Sequence, residues 1–201
     1  MEVLFMINIS CVGDSLTYGA SVEDREENCY PAVLNDLLGD DYIVGNFGAS
    51  GYTMLKTGDF PYWEHENFKF SAMINPDIVI IMLGTNDSKP FNFTTTSDFI
   101  ETYEEMLAYY KKLPSKPRIY MATPPKVFPP KTTEVPTIRG EVVDEIADAI
   151  RELGKKTRIS VIDVNKKTAD YPQGFVEDGI HTNKKGAKLI AEIVFNELSK
   201  K

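Results

Sequence analysis

The sequence predicts a three-layer α/β/α domain built on a five-stranded parallel sheet. Three observations carry this. Short apolar runs alternate with stretches of helical periodicity along the whole chain, which reads as βαβ units with right-handed crossovers. The run Ile78 to Leu83 is apolar at every position, as expected of a strand covered on both faces. A length of 201 residues suits one α/β domain better than two, so residues 1–201 are read as a single domain.

Each element has its own signal. Leu4 to Val12 reads as the first strand. Pro31 to Leu38 reads as a helix, with proline in the first turn and Gly39 as the stop. Tyr42 to Phe47 is the second strand, Phe68 to Ile74 a helix ended by Asn75-Pro76, and Ile78 to Leu83 the third strand. Ser97 or Asp98 can cap a helix running to about Lys112. Arg118 to Ala122 is the fourth strand. Thr137 can cap a helix from about Arg139 to Lys155, with Gly154 near its end. Ile159 to Val164 is the fifth strand. Asn183 to Leu198 is the last helix, carrying Ala187, Ile190, Ala191, Val194 and Leu198 on one stripe. Two connections are long, Gly48 to about Glu66 and the proline-rich Thr123 to Pro136. Loops of that length in a compact domain are usually functional or disordered, and because both follow strand ends they are expected to be functional.

Composition excludes several classes. A net charge of −8 without basic clusters disfavours nucleic acid as a partner. No stretch approaches the roughly 20 apolar residues of a membrane helix, so no membrane partner is expected. Cys11 and Cys29 are expected as free thiols, and Cys11, in a strand, as a poor nucleophile. No cluster has metal-ligand spacing and no nucleotide fingerprint occurs, so neither metal nor cofactor is expected. The first 24 residues lack Lys and Arg, and with them the positive flank of a signal peptide. The expectation is a cytoplasmic protein, or a secreted or periplasmic one had a leader been removed. Oligomeric state stays open.

In an open parallel sheet, ligands bind beyond the carboxyl ends of the strands. Four clusters fall there: Gly13-Asp14-Ser15-Leu16, Asn46-Phe47-Gly48, Gly84-Thr85-Asn86-Asp87 and Asp178-Gly179-Ile180-His181. Together they offer a hydroxyl, a backbone N–H, a side-chain amide and a carboxylate–imidazole pair, the parts that acyl transfer needs. An activated serine needs a base of near-neutral pKa, and of the two histidines His181 stands between the last strand and the last helix. His65, among Trp63, Glu64 and Glu66, reads as a surface residue. The α/β-hydrolase elbow G-x-S-x-G fits poorly, because Thr17 stands where its second glycine would be.

These four blocks, in this order, resemble those of the SGNH (GDSL-type) hydrolases, and the resemblance spans nearly the whole chain. One departure is Thr182, where many members have proline. The resemblance implies a flavodoxin-like fold and a serine esterase. Ser15 is then the nucleophile, His181 the general base and Asp178 its orienting carboxylate. The oxyanion hole is formed by the Ser15 N–H, the Gly48 N–H and the Asn86 amide. Asp14, Asp87, Tyr62 and Trp63 are the candidates for substrate contact. The aromatics Tyr52, Phe60, Tyr62, Trp63, Phe91 and Phe93 lie in the loops after strands two and three. They are expected either to meet a sugar or acyl group or to pack the loops. The stretch from Asp77 to Pro90 is similar to bacterial carbohydrate O-acetylesterases, including sialate O-acetylesterase-like proteins. The expected substrate is therefore a small-molecule or carbohydrate ester, O-acetylated sugars first. A lysophospholipase or thioesterase for longer acyl chains is the alternative, and a non-catalytic binding module a further one.

Overall fold

The computed structural model describes residues 6–131 and 137–200. The beginning of the first expected strand and the last part of the proline-rich connection lie outside the described residues. The strands are β1 (Ile7–Gly13), β2 (Tyr42–Gly48), β3 (Ile78–Met82), β4 (Arg118–Ala122) and β5 (Ser160–Ile162). All pair in parallel, in the order β2-β1-β3-β4-β5. The helices are α1 (Ser15–Tyr18), α2 (Arg25–Asn28), α3 (Tyr30–Leu38), α4 (Glu66–Met73), α5 (Thr96–Lys111), α6 (Gly140–Thr157), α7 (Val164–Thr168) and α8 (Lys184–Leu198).

Strand alternation sorts the core into two layers. Val12, Val79, Ile81 and Met121 face Phe68 of α4, Phe99, Tyr103 and Met106 of α5, and Ile146 and Ile150 of α6. Ile9, Cys11, Ile80, Met82 and Ile162 face Tyr30 and Leu34 of α3 and Ile190, Ala191 and Val194 of α8. Both cysteines are free and buried, and burial pushes the Cys11 thiol up to about 12, which leaves it inert. No helix among the described residues is long and apolar enough to cross a membrane.

Several boundaries differ from expectation for local reasons. Helix α5 is capped by Thr95, whose hydroxyl accepts the Asp98 N–H, not by Ser97 or Asp98. Helix α6 starts at Gly140 with no side-chain cap, and Thr137 plays no part. Strand β5 is short because Asp163 turns the chain into α7, accepting the Lys166 N–H as its cap. Helix α4 begins two residues early because His65 Nδ1 accepts the Asn67 N–H at 3.1 Å. His65 is thus a half-buried cap, not a surface residue.

The strand order reverses at β1: β2 lies on one side of it and β3 on the other. That crevice is where an open α/β sheet binds its ligands. Residues following β1 and β3 meet there.

Candidate active site

Ser15 leaves the end of β1 as the first residue of α1. Asp14 caps that helix, its Oδ1 accepting the Leu16 N–H at 2.9 Å. A first-turn residue has no partner for its N–H within the helix, so the Ser15 N–H is free to point at a ligand. Ser15 Oγ lies 2.9 Å from His181 Nε2, across 166 residues of sequence. His181 Nδ1 lies 2.6 Å from Asp178 Oδ2. Asp178 Oδ1 accepts the backbone N–H groups of Ile180 (2.8 Å) and His181 (2.9 Å), which lock the carboxylate against its own turn. Burial pushes the Asp178 carboxyl up, but the His181 hydrogen bond and the two backbone donors outweigh it. The group is held below the ordinary carboxylate range.

The Asp178–His181 turn is braced from outside. Phe128 N–H donates to Gly179 O at 2.8 Å, Lys131 N–H to Glu177 O at 2.7 Å, and the Phe128 ring packs on Phe175 at 4.9 Å. Gly179 has φ +73°, and a Cβ there would collide with the Phe128 carbonyl. The first part of the proline-rich connection thus supports the Asp178–His181 turn. Its length alone signalled a role without saying which.

Asn86 is nearly buried beyond β3. One amide hydrogen goes to Tyr52 O at 3.1 Å, which leaves the other for a ligand. Gly48 ends β2, packed so closely on α1 that a Cβ would collide with the backbone of Thr17 and Tyr18. Glycine is required there by the helix behind it, before any question of substrate. Its N–H donates to Asn46 Oδ1 at 3.0 Å, and Asn46 Nδ2 in turn reaches Tyr18 O at 3.3 Å. To serve an oxyanion, the Gly48 N–H would have to be shared with Asn46.

The four residues expected at substrate are all engaged by the protein itself. Asp87 is fully buried and accepts Met54 N–H (2.9 Å) and Leu55 N–H (2.7 Å), clamping the loop after β2 onto the end of β3. Burial, with Asp14 nearby, pushes its carboxyl up to about 7 against those two donors. Asp14 is buried too. Burial pushes its carboxyl up to about 6, while the Leu16 N–H, the neighbouring Thr85 hydroxyl and the His181 charge pull it down. Asp14 Oδ2 and Thr85 Oγ1 both lack a hydrogen bond of good geometry. Tyr62 is fully buried and its hydroxyl donates to Phe47 O at 2.6 Å. Trp63 gives its N–H to Met54 O at 2.9 Å and packs its ring on Phe68 at 5.1 Å. All four make hydrogen bonds that hold α1 or the loops at this edge of the sheet. The large exposed rings on these loops are Phe60 and Phe91. Asn92, which the sequence does not single out, joins both loops by accepting Asp59 N–H at 2.9 Å and donating to Asn86 O at 2.9 Å. Among the described residues, no group of three or more His, Cys, Asp or Glu side chains is placed to hold a metal.

The Ser15 hydroxyl, the His181 imidazole and the Asp178 carboxylate thus stand in line at the crevice of a five-stranded parallel sheet. The model of the GDSL-like lipase/acylhydrolase family matches residues 11–189, and the chain belongs to that family. It is 37% identical over 206 residues to an acetylxylan esterase of Xylanibacter ruminicola, covering 94% of this chain and 42% of that protein. The chain thus spans about two-fifths of that relative's length. Among solved structures, a carbohydrate acetylesterase from Sinorhizobium meliloti shares the fold with a TM-score of 0.80 at 18% identity, over 96% of this chain and 98% of that one. An aryl esterase from M. smegmatis does so at 0.78 and 21%, over 96% and 98%.

Proposed function

We propose that this protein is a serine esterase that removes short acyl groups, acetyl foremost, from carbohydrate hydroxyls. The observation that carries the reading is the unbroken line from Ser15 Oγ through His181 to Asp178, at 2.9 and 2.6 Å. In this reading Ser15 Oγ attacks the ester carbonyl while His181 Nε2 takes its proton. The tetrahedral intermediate collapses as His181 returns that proton to the leaving alcohol, leaving an acyl-Ser15. Water, deprotonated by His181, then attacks the acyl-enzyme. The carboxylic acid leaves as His181 returns the proton to Ser15 Oγ, and the acid then loses its own proton to solvent. Asp178 holds the imidazole tautomer and stabilises the imidazolium. The developing oxyanion meets the Ser15 N–H and the free hydrogen of the Asn86 amide, with the Gly48 N–H shared from Asn46. The acetylated carbohydrate is supported by the similarity to an acetylxylan esterase.

The test is hydrolysis of p-nitrophenyl acetate, butyrate and octanoate by wild type and Ser15→Ala. The reading expects acetate to be cleaved best and the variant to be inactive. Best activity on octanoate would replace acetyl by a longer acyl chain. A Ser15→Ala variant matching wild type would remove the triad.

A further inference from the structure

Phe60 and Phe91 are more than half exposed, at 54% and 64%, and both stand on the loops at the active-site edge of the sheet. Single exposed apolar residues are ordinary. These two differ in being held together and tied to the catalytic centre. Lys89 Nζ pairs with Asp59 Oδ2 at 2.9 Å, next to Phe60 in sequence, and lies 5.8 Å from the centre of the Phe91 ring. Asn92 Nδ2 donates to Asp59 Oδ1 at 2.8 Å and to Asn86 O. The Phe60 ring also sits 5.8 Å from Tyr52, whose carbonyl holds the Asn86 amide. A continuous network therefore runs from the oxyanion-side amide outward to two exposed rings and a lysine–aspartate pair between them.

We propose that Phe60 and Phe91, with Lys89 and Asp59, form a carbohydrate subsite for a sugar residue of the substrate chain beside the esterified one. The inference rests on the carbohydrate reading above and narrows it to oligomeric or polymeric substrates. Aromatic faces cover the apolar C–H face of a pyranose, and a paired ammonium and carboxylate offer both donors and acceptors to its hydroxyls. The stitching of both loops by Asp59, Asp87 and Asn92 holds the surface in place before substrate arrives, which lowers the ordering cost of binding.

The experiment compares kcat/KM on acetylated xylo-oligosaccharides with kcat/KM on acetylated xylose, for wild type, Phe60→Ala, Phe91→Ala and Phe70→Ala. Phe70 is a comparably exposed phenylalanine on α4 and serves as the control. Wild type should favour the oligosaccharides. Each loop variant should lower the ratio of the two constants by roughly three- to tenfold, through KM, as expected for loss of one stacking contact. Phe70→Ala should leave the ratio where it is. A wild-type enzyme that cleaves both sugars with no preference, or loop variants that keep the wild-type ratio, would overturn the subsite alone. A wild type active on p-nitrophenyl acetate but on neither sugar would overturn the carbohydrate reading and the subsite together.

Discussion

Asp14 does two jobs beside Ser15: it caps α1 and it brings a carboxyl into the buried ground behind that side chain. Its raised pKa has a consequence for stability. The folded protein keeps the Asp14 proton up to about pH 6, whereas an unfolded aspartate loses it near pH 4. The folded state therefore binds the extra proton in that window. Burial of Asp14 disfavours folding progressively as pH rises through it, and fully above pH 6. Asp14→Asn keeps the cap and removes the charge. Its urea stability relative to wild type should rise by about 1–2 kcal/mol between pH 5 and pH 8. A difference independent of pH would mean that the Asp14 carboxyl is not desolvated as described. Asn86→Ala should lower kcat by about 100- to 1000-fold with the fold intact, the usual loss for one oxyanion donor. Near-wild-type turnover, with an unchanged circular dichroism spectrum, would remove Asn86 from the site. That Ser15, His181 and Asp178 would come together was legible in the sequence because only one histidine stood in a plausible place, with an aspartate three residues before it. The true places of Asp14, Asp87 and Tyr62 were not. Whether a polar side chain faces substrate or supports a loop depends on which backbone folds over it, and Met54 and Leu55 come from far along the chain.

At the scale of elements, the Ser15–His181–Asp178 line depends on loops that other loops hold. The Asp178–His181 turn leans on residues 128–131, and Gly179 makes room for the Phe128 carbonyl at a positive φ. Gly179→Ala should cost on the order of 1–3 kcal/mol through backbone strain alone. It should also lower kcat at least tenfold, since His181 would move relative to Ser15. Equal melting temperatures and equal kcat for variant and wild type would show that the brace is dispensable. All five strands and the five longest helices could be read from hydrophobic period and end signals. Helices α1, α2 and α7 could not, because four or five residues carry no period. His65 as a cap was equally hidden, since its role needs the Asn67 N–H and a neighbouring Tyr52 ring, 4.5 Å away.

At the scale of the molecule, strand order decides that residues from four distant blocks become one site. Placing β1 between β2 and β3 sets Gly48 and Asn86 on either side of Ser15, and the path out of β5 through α7 returns Asp178 and His181 to the same edge. We expect the chain to unfold as one unit, because both core layers share the same sheet. Fluorescence of Trp63, the single tryptophan, should then report the same urea midpoint as far-ultraviolet circular dichroism. Two separated midpoints would divide the chain into independent parts. The central claim is covalent catalysis by Ser15, and a rapid quench of the reaction with p-nitrophenyl acetate, followed by peptide mass spectrometry, tests it most directly. The account predicts one acetyl group, on Ser15, appearing with the first turnover and absent from Ser15→Ala. An acetyl group on another residue, or turnover with no acyl-enzyme in a Ser15→Ala variant as active as wild type, would contradict it.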